Sequence, residues 1–207
     1  VGSEMCKETD KTLLLTTDAK PNAAHAALAK LEAQGKLTAV VTQNIDGLHQ
    51  LAGSKNVYEL HGSIHRNHCM RCNRFFDAEY VKNHSGIPYC PCGGMIKPDV
   101  VLYEESLDPD VLAGAVTHIS RADMLIVGGT SLTVYPAAGL IRYYRGNKLV
   151  LINRDETPYD GYANLIFRDP IGKVLGQSDT MKELNFPHGA APVSYTHLRA
   201  HETDSYL

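Results

Sequence analysis

The sequence predicts an α/β fold in which a doubly wound parallel sheet carries a small inserted metal-binding module. Short strand-like runs alternate with helix-forming segments through most of the 207 residues, as in sheets whose parallel strands are joined by helices. The alternation stops between residues 63 and 97, where two close cysteine pairs stand in a stretch with little periodicity. The predicted organisation is therefore a sheet domain (1–62 and 98–176), a module (63–97) and a tail (177–207).

The predicted elements before the cysteines are one helix and two strands. An alanine-rich helix follows Pro21-Asn22, has apolar residues at helical spacing and stops at Gly35. Residues 38–42 form a β-branched run that predicts a buried strand, and residues 57–60 predict a second one.

After the cysteines the alternation resumes. Asp108-Pro109 begins a helix with an apolar face over residues 111–119, and Pro136 begins another. Three further strands are predicted at 124–127, 149–152 and 164–167.

The tail shows neither helical nor strand periodicity, and prolines and a glycine interrupt it. Its last part, residues 192–207, resembles translated adaptor sequence. We expect residues 177–207 to be non-native or disordered and to take no part in the fold.

Composition excludes several classes of protein. Hydrophobic residues make up 43% and charged residues 21%, which excludes wholesale disorder. The formal net charge of −3 gives no sign of a specific nucleic-acid partner. No apolar run approaches the ~18 residues that span a bilayer, so no membrane partner is expected. Without a secretory pattern, a cytoplasmic location is predicted.

The four cysteines of the module are Cys69, Cys72, Cys90 and Cys92. Two tight pairs bring two thiolates each to a tetrahedral Zn²⁺ without ordering much chain, and four thiolates leave no position open for water. The sequence therefore predicts one structural zinc. Disulfides or a redox dithiol are the alternatives. His65 and His68 lie near the first pair and are expected to be surface residues.

Polar residues follow the predicted strands at 43–46, at His61-Gly62 and at 129–131, where ligands of such sheets bind. Taken singly, residues 43–46 are also typical of a turn, His61 of a hydrogen-bonded buried histidine, and residues 129–131 of a helix N-cap. Their order is more specific: TQNIDGLH (42–49), His61-Gly62, the four cysteines, VVLYE (100–104), GGTSL (128–132) and Ile152-Asn153-Arg154. In this order they resemble the bacterial members of the sirtuin family, which are NAD-dependent protein deacylases with a Rossmann-like sheet.

The resemblance implies a role for each matching position. His61 would be the general base acting on the NAD ribose hydroxyls, because imidazole titrates near neutrality. The backbone of Val101, Leu102 and Tyr103 would pair with an acyl-lysine peptide as an added strand. The positions implied for NAD binding are Gln43, Asn44, Ile45, Asp46, Gly129, Thr130, Ser131, Asn153 and Arg154.

Within these positions, Asn44 and Asp46 would line the nicotinamide pocket, Ile45 would pack on the nicotinamide ring, and Gln43 would reach the ribose. In this family the acyl-lysine carbonyl oxygen attacks the ribose and expels nicotinamide. The products are free lysine and O-acyl-ADP-ribose, so NAD is consumed as a co-substrate.

The family's glycine-rich GAGxS loop does not occur in this sequence. We expect the chain to be truncated at its N-terminus, with one central sheet position unfilled, and to be poorly active or unstable. Two other functions remain open from the sequence: a non-catalytic zinc-ribbon protein-binding module and an NAD-dependent ADP-ribosyltransferase.

Overall fold

The computed structural model describes residues 19–102, 105–133, 135, 137–177 and 193–196. These residues form two compact units. The larger unit contains Lys20–Asn44, Leu48–Leu60 and the described residues from Ser106 onward. The smaller unit contains Ile45–Gly47 and His61–Glu105, so the bounds predicted for the module, 63–97, lie inside it.

A parallel sheet of six strands organises the larger unit. The strands are β1 (Ala39–Thr42), β2 (Val57–Glu59), β6 (Leu125–Gly128), β7 (Leu149–Ile152), β8 (Leu165–Phe167) and β9 (Val193–Thr196). Their order is β2-β1-β9-β6-β7-β8, and every neighbouring pair is parallel. The five strands predicted from the sequence in this unit are all present, to within a residue or two at each end.

The helices of the two units are short to medium in length. They are α1 (Ala23–Ala33), α2 (Leu48–Leu51), α3 (Ala78–Asn83), α4 (Pro109–Arg121) and α5 (Ile171–Gly176), with 3₁₀ segments at Ala137–Tyr143 and Asp160–Tyr162. The helix predicted to begin at Pro136 is thus a 3₁₀ segment where the structure describes it. Among the described residues, no helix is both long and apolar enough to cross a bilayer.

Side chains of the central strands alternate between two hydrophobic clusters, one on each face of the sheet. Val40, Ile126 and Val150 pack with residues of α1 and α5. Val41 and Val127, which point the opposite way, pack with residues of α4 and of the first 3₁₀ segment. Because both faces are covered by helical segments, the strands are apolar throughout, and the predicted doubly wound architecture is confirmed.

The predicted helix starts are visible as side-chain caps. The Asn22 carboxamide oxygen accepts hydrogen bonds from the backbone N–H of Ala24 (3.0 Å) and His25 (3.2 Å). Asp108 caps α4 in the same way, accepting from the N–H of Asp110 at 2.8 Å and of Val111 at 3.2 Å. These bonds satisfy amide groups that have no partner within the helix.

Strand β9 comes from the tail and lies between β1 and β6. It pairs with both neighbours in register, Ala39 and Leu125 opposite Val193, and Thr42 and Gly128 opposite Thr196. These four residues thus occupy a central sheet position that we expected to be unfilled. They are part of the sheet, whereas we expected the tail to take no part in the fold. The edges of β1 and β6 both present backbone donors and acceptors to this position, and a parallel strand satisfies them. The tail residues 178–192 and 197–207 lie outside the described part of the chain.

The smaller unit is built on a three-stranded antiparallel sheet. Strand β3 (Gly62–Cys69) lies between β4 (Phe75–Phe76) and β5 (Ile96–Val100). The pairing of β3 with β5 is interrupted, because Ser63 lies opposite Asp99 while Asn67 lies opposite the adjacent Pro98. Three residues of β3 therefore bulge out of the ladder.

Candidate cofactor and metal sites

Three polar loops of the larger unit begin at one edge of the sheet. Thr42 and Gly128, the last residues of β1 and β6, both lie opposite Thr196, and Gly128 lies opposite Ile152, the last residue of β7. The loops that follow these strands therefore start side by side. They carry Gln43 and Asn44 after β1, Gly129 to Ser131 after β6, and Asn153 and Arg154 after β7.

Side-chain to backbone hydrogen bonds shape the first two loops. The Thr42 hydroxyl accepts from the N–H of Asn44 at 3.0 Å, and the Thr130 hydroxyl accepts from the N–H of Leu132 at 3.2 Å. Leu132 has φ +55°, a left-handed conformation that is unusual for leucine. Strained residues of this kind are more frequent at ligand sites than elsewhere in proteins.

The third loop is held from the next strand by Arg168, which follows β8. Its guanidinium donates to the carbonyl oxygens of Asn153 at 3.3 Å and Asp155 at 2.8 Å, and it pairs with Asp160. Hydrogen bonds from the Thr157 hydroxyl and then from the Arg168 guanidinium lower the pKa of the Asp160 carboxyl. Arg168 was not predicted from the sequence, because a single arginine after a short strand belongs to no motif.

In the smaller unit, His61 and Gly62 are fixed on β5. The carbonyl oxygen of His61 accepts from the N–H of Val101 at 3.0 Å, and Gly62 lies opposite Val100. Gly62 has φ +77°, and a Cβ at this position would collide with the carbonyl oxygen of Asp99. Only glycine fits so close an approach, which explains the His-Gly pair. The His61 side chain is half-buried.

Ile45 and Asp46 belong to the same unit as His61, whereas Gln43 and Asn44 belong to the larger one. The Ile45 carbonyl oxygen accepts from the N–H of Ile64 at 3.1 Å. The Asp46 carbonyl oxygen lies 2.8 Å from Nε2 of His65. No sequence pattern indicated that this loop, which follows β1, is hydrogen-bonded to β3 nineteen residues later.

The predicted peptide-binding residues follow β5. Val101 and Leu102 are half-buried, and the N–H of Leu102 donates to the Glu105 carboxylate at 3.0 Å. Glu105 also pairs with Lys97 at 2.9 Å, which ties the segment back to β5. Tyr103 lies outside the described residues.

The four cysteines converge in the smaller unit. All four sulfur atoms lie within 4.8 Å of one another, and three of the separations are 3.5 to 3.6 Å. A tetrahedral zinc site with Zn–S bonds of ~2.3 Å places its sulfurs about 3.8 Å apart. A disulfide requires ~2.05 Å, so the arrangement fits a metal and disagrees with the disulfide alternative.

The pKa values of the Cys69 and Cys90 thiols are shifted in opposite directions. Burial opposes ionisation of Cys69, but the backbone N–H groups of Cys72 and Arg71 lower the pKa of this thiol to about 6. A backbone hydrogen bond from Cys92 lowers the pKa of Cys90, whereas burial and the neighbouring sulfurs raise it, with a net result of about 12. Four thiolates so close together repel one another, and a bound cation removes that repulsion.

A doubly wound sheet with polar strand-end loops, joined in one chain to a four-cysteine unit, defines an α/β protein of the nucleotide-binding type. The sequence model of the Sir2 family matches residues 4–136. The chain belongs to this family.

Two curated relatives show how close the similarity is. The chain is 68% identical over 164 residues to a protein of Clostridium acetobutylicum named NAD-dependent protein deacetylase, a match covering 78% of this chain and 67% of that protein. It is 61% identical over 169 residues to a Clostridium perfringens protein of the same name, covering 81% and 69%. The chain thus spans about two thirds of the length of these relatives.

A solved structure extends the comparison to three dimensions. The structure described as Sir2 with a p53 peptide and NAD⁺ is similar with a TM-score of 0.73 and 44% sequence identity. The match covers 80% of this chain and 71% of that one.

Proposed function

We propose that the chain is an NAD-dependent protein-lysine deacylase that cleaves NAD to nicotinamide and O-acyl-ADP-ribose while freeing lysine. The observation that carries this proposal is the 68% identity, over 164 residues, to a protein named NAD-dependent protein deacetylase. The geometry supports it independently, because the loops with the family's NAD residues begin together at one edge of the sheet.

We assign the general base to His61. A neutral imidazole accepts a proton near physiological pH, which suits activation of a ribose hydroxyl. The backbone on both sides of His61 is fixed, by the Val101 hydrogen bond and by the close approach of Gly62 to Asp99. A base held in this way loses little freedom when substrate binds.

Residues for NAD binding are proposed within each unit taken by itself. In the larger unit, Gln43, Asn44, the residues from Gly129 to Ser131, and Asn153 with Arg154 are assigned to the dinucleotide. The hydrogen bonds of Arg168 support the last of these loops, because they fix the backbone on either side of Arg154. In the smaller unit, Ile45 and Asp46 are assigned to the nicotinamide end.

The four cysteines are proposed to hold one structural Zn²⁺. Because four thiolates complete a tetrahedral coordination, the ion takes no part in the reaction and instead staples β3 to the segment before β5. Among the described residues, the hydrophobic cluster around the cysteines has Val81 and Ile96 as its other buried members, so a bound ion would add substantially to the stability of this small cluster.

The acyl-lysine substrate is proposed to lie along Val101 and Leu102, which continue from β5. An extended peptide pairing with this segment gains main-chain hydrogen bonds that hardly depend on its sequence. Such a site accepts many protein substrates. The cytoplasm is proposed as its compartment, because the cysteines stay reduced there.

The test is a deacetylation assay with an acetyl-lysine peptide, with and without NAD, following free lysine and nicotinamide together. The chain is assayed as it stands and with the family's glycine-rich segment added in front, since it spans about two thirds of its relatives. His61→Tyr is expected to abolish both products in either protein while zinc content stays at one per chain.

A matched control is His84→Tyr, which changes another histidine of the same unit, at the end of α3. It is expected to leave activity unchanged. Nicotinamide release with transfer of ADP-ribose to protein would favour the ADP-ribosyltransferase alternative. Zinc binding with no NAD cleavage in either protein would refute the deacylase and favour a binding module.

A further inference from the structure

The loop Ile45–Gly47 is attached to β3 by two hydrogen bonds. The N–H of Ile64 donates to the Ile45 carbonyl oxygen at 3.1 Å. Nε2 of His65 lies 2.8 Å from the Asp46 carbonyl oxygen. These bonds join the residues proposed for the nicotinamide pocket to the strand that begins one residue after His61.

The bulge in β3 makes both bonds possible. Between Ser63 and Asn67 the strand leaves its pairing with β5, so Ile64 and His65 are free to turn toward another segment. The buried Asn67 closes the bulge by donating from its amide to the Ile64 carbonyl oxygen at 3.1 Å. Bulges often re-aim a side chain beside a functional site, and this one aims His65 at the loop.

The chemistry of the His65 contact is determined by its partner. A carbonyl oxygen only accepts, so Nε2 must carry the proton, and it does so both in one neutral tautomer and in the charged ring. Gly47 makes room for the ring, because a Cβ there would lie 2.8 Å from its Cδ2 atom. His65 is exposed, as expected from the sequence, but it is not an idle surface residue.

We propose that His65 is a positioning residue for the reaction: its Nε2–H holds the Asp46 carbonyl, and with it the loop Ile45–Gly47, against β3. This inference rests on the proposed deacylase function, because it concerns the loop assigned to nicotinamide. Without the bond, the loop detaches from β3 more often, so NAD and free nicotinamide bind more weakly.

The first experiment measures loop attachment without any activity. Amide hydrogen exchange of Ile64 reports the bond to Ile45, and exchange of Cys69, which donates to Arg74 at 2.9 Å, is the internal reference. His65→Ala is expected to speed exchange at Ile64 about two- to tenfold, as for loss of one hydrogen bond, with Cys69 unchanged. His65→Gln keeps an N–H donor and is expected to restore most of the protection.

A matched control is Arg66→Ala on the same bulge, whose side chain lies 3.8 Å from Asp99. It is expected to leave Ile64 exchange unchanged. If His65→Ala speeds Ile64 exchange no more than Arg66→Ala does, the proposal is wrong, regardless of the result of any activity assay.

The second experiment uses the deacetylation assay. His65→Ala is expected to raise the KM for NAD and the inhibitory concentration of nicotinamide by the same two- to tenfold, with the melting temperature and zinc content unchanged. Faster exchange with unchanged KM and inhibition would also overturn the proposal. Absence of NAD cleavage in the unsubstituted protein would instead refute the deacylase function and leave the exchange result standing.

Gly47→Ala provides a test through the partner. Its Cβ displaces the His65 ring, and the φ of +67° at this position strains the loop as well, so the single substitution is expected to speed Ile64 exchange at least as much as His65→Ala does. In the double variant with His65→Ala, the acceleration of Ile64 exchange is expected to be smaller than the product of the accelerations caused by the two single substitutions. Effects that multiply fully would show that the residues act separately and would contradict the inference.

Discussion

Two histidines buried side by side predict that the larger unit loses stability in mild acid. His25 of α1 and His49 of α2 are each 1% exposed, and their ring centroids lie 4.6 Å apart. Burial lowers the pKa of His25 to about 4. Burial, and then the charge on His25, lower that of His49 to about 3. Both rings are therefore neutral in the folded protein at pH 5.

The sign and size of the effect follow from linkage. In the unfolded chain a histidine has a pKa of ~6.5, so below that pH the unfolded state binds protons that the folded state does not bind. Stability is complete above about pH 7 and falls as the pH drops toward the folded pKa values. Each ring then costs ~1.4 kcal/mol per pH unit, or about 2 kcal/mol each between pH 7.5 and 5.

His25→Gln isolates this contribution. The ring Nδ1 of His25 accepts from the Asn22 N–H at 3.2 Å, and glutamine at this third helical position makes the same reciprocal cap. Urea unfolding at pH 7.5 and 5.0, with zinc present, is expected to show that the variant loses about 2 kcal/mol less than the unsubstituted chain.

The control for the cap itself is Asn22→Ala. It removes the hydrogen bonds to the first turn and is expected to cost about 1 kcal/mol at both pH values. Equal losses between pH 7.5 and 5.0 for His25→Gln and the unsubstituted chain would refute the reasoning.

Three further outcomes are expected. Zinc analysis will find one ion per chain. The Cys90→Ser variant is expected to lose this ion and to show a lower melting temperature of the smaller unit. Full zinc content in this variant would exclude the four-thiolate site. Glu32→Ala removes a carboxylate that accepts from two backbone N–H groups, at 2.9 and 2.7 Å, and will cost about 1–3 kcal/mol in urea unfolding, with Glu32→Gln less affected. Arg168→Ala frees the backbone around Asn153 and will raise the KM for NAD several-fold with little change in kcat; a fall in kcat alone would contradict this role.

The local sequence was sufficient to predict those elements that have a characteristic pattern within a few residues. Residues 149–152 are apolar without interruption because β7 is covered on both faces, and the strand lies where it was predicted. Asp108-Pro109 marks the start of α4 because a capping side chain and a fixed φ act within one turn. The cysteine spacing likewise predicted a four-sulfur cluster, since each pair closes over only one or two residues.

Other elements have no such signature. Strand β3 was missed because its bulge breaks the alternation that would identify it and its pairing is split between β4 and β5. The 3₁₀ segment Ala137–Tyr143 was predicted as a helix, because its apolar spacing does not distinguish the two.

What the sequence by itself determined is the family, the strand-helix alternation and the set of metal ligands, because each depends on residues close together in the chain. Only the tertiary structure decided that Ile45–Gly47 attaches to β3, that Arg168 supports the loop of Asn153, and that β9 enters the sheet. These contacts join segments that lie from fifteen to more than a hundred residues apart along the chain. They depend on the path of the chain through the fold, and local patterns of hydrophobicity or turn residues carry no information about that path.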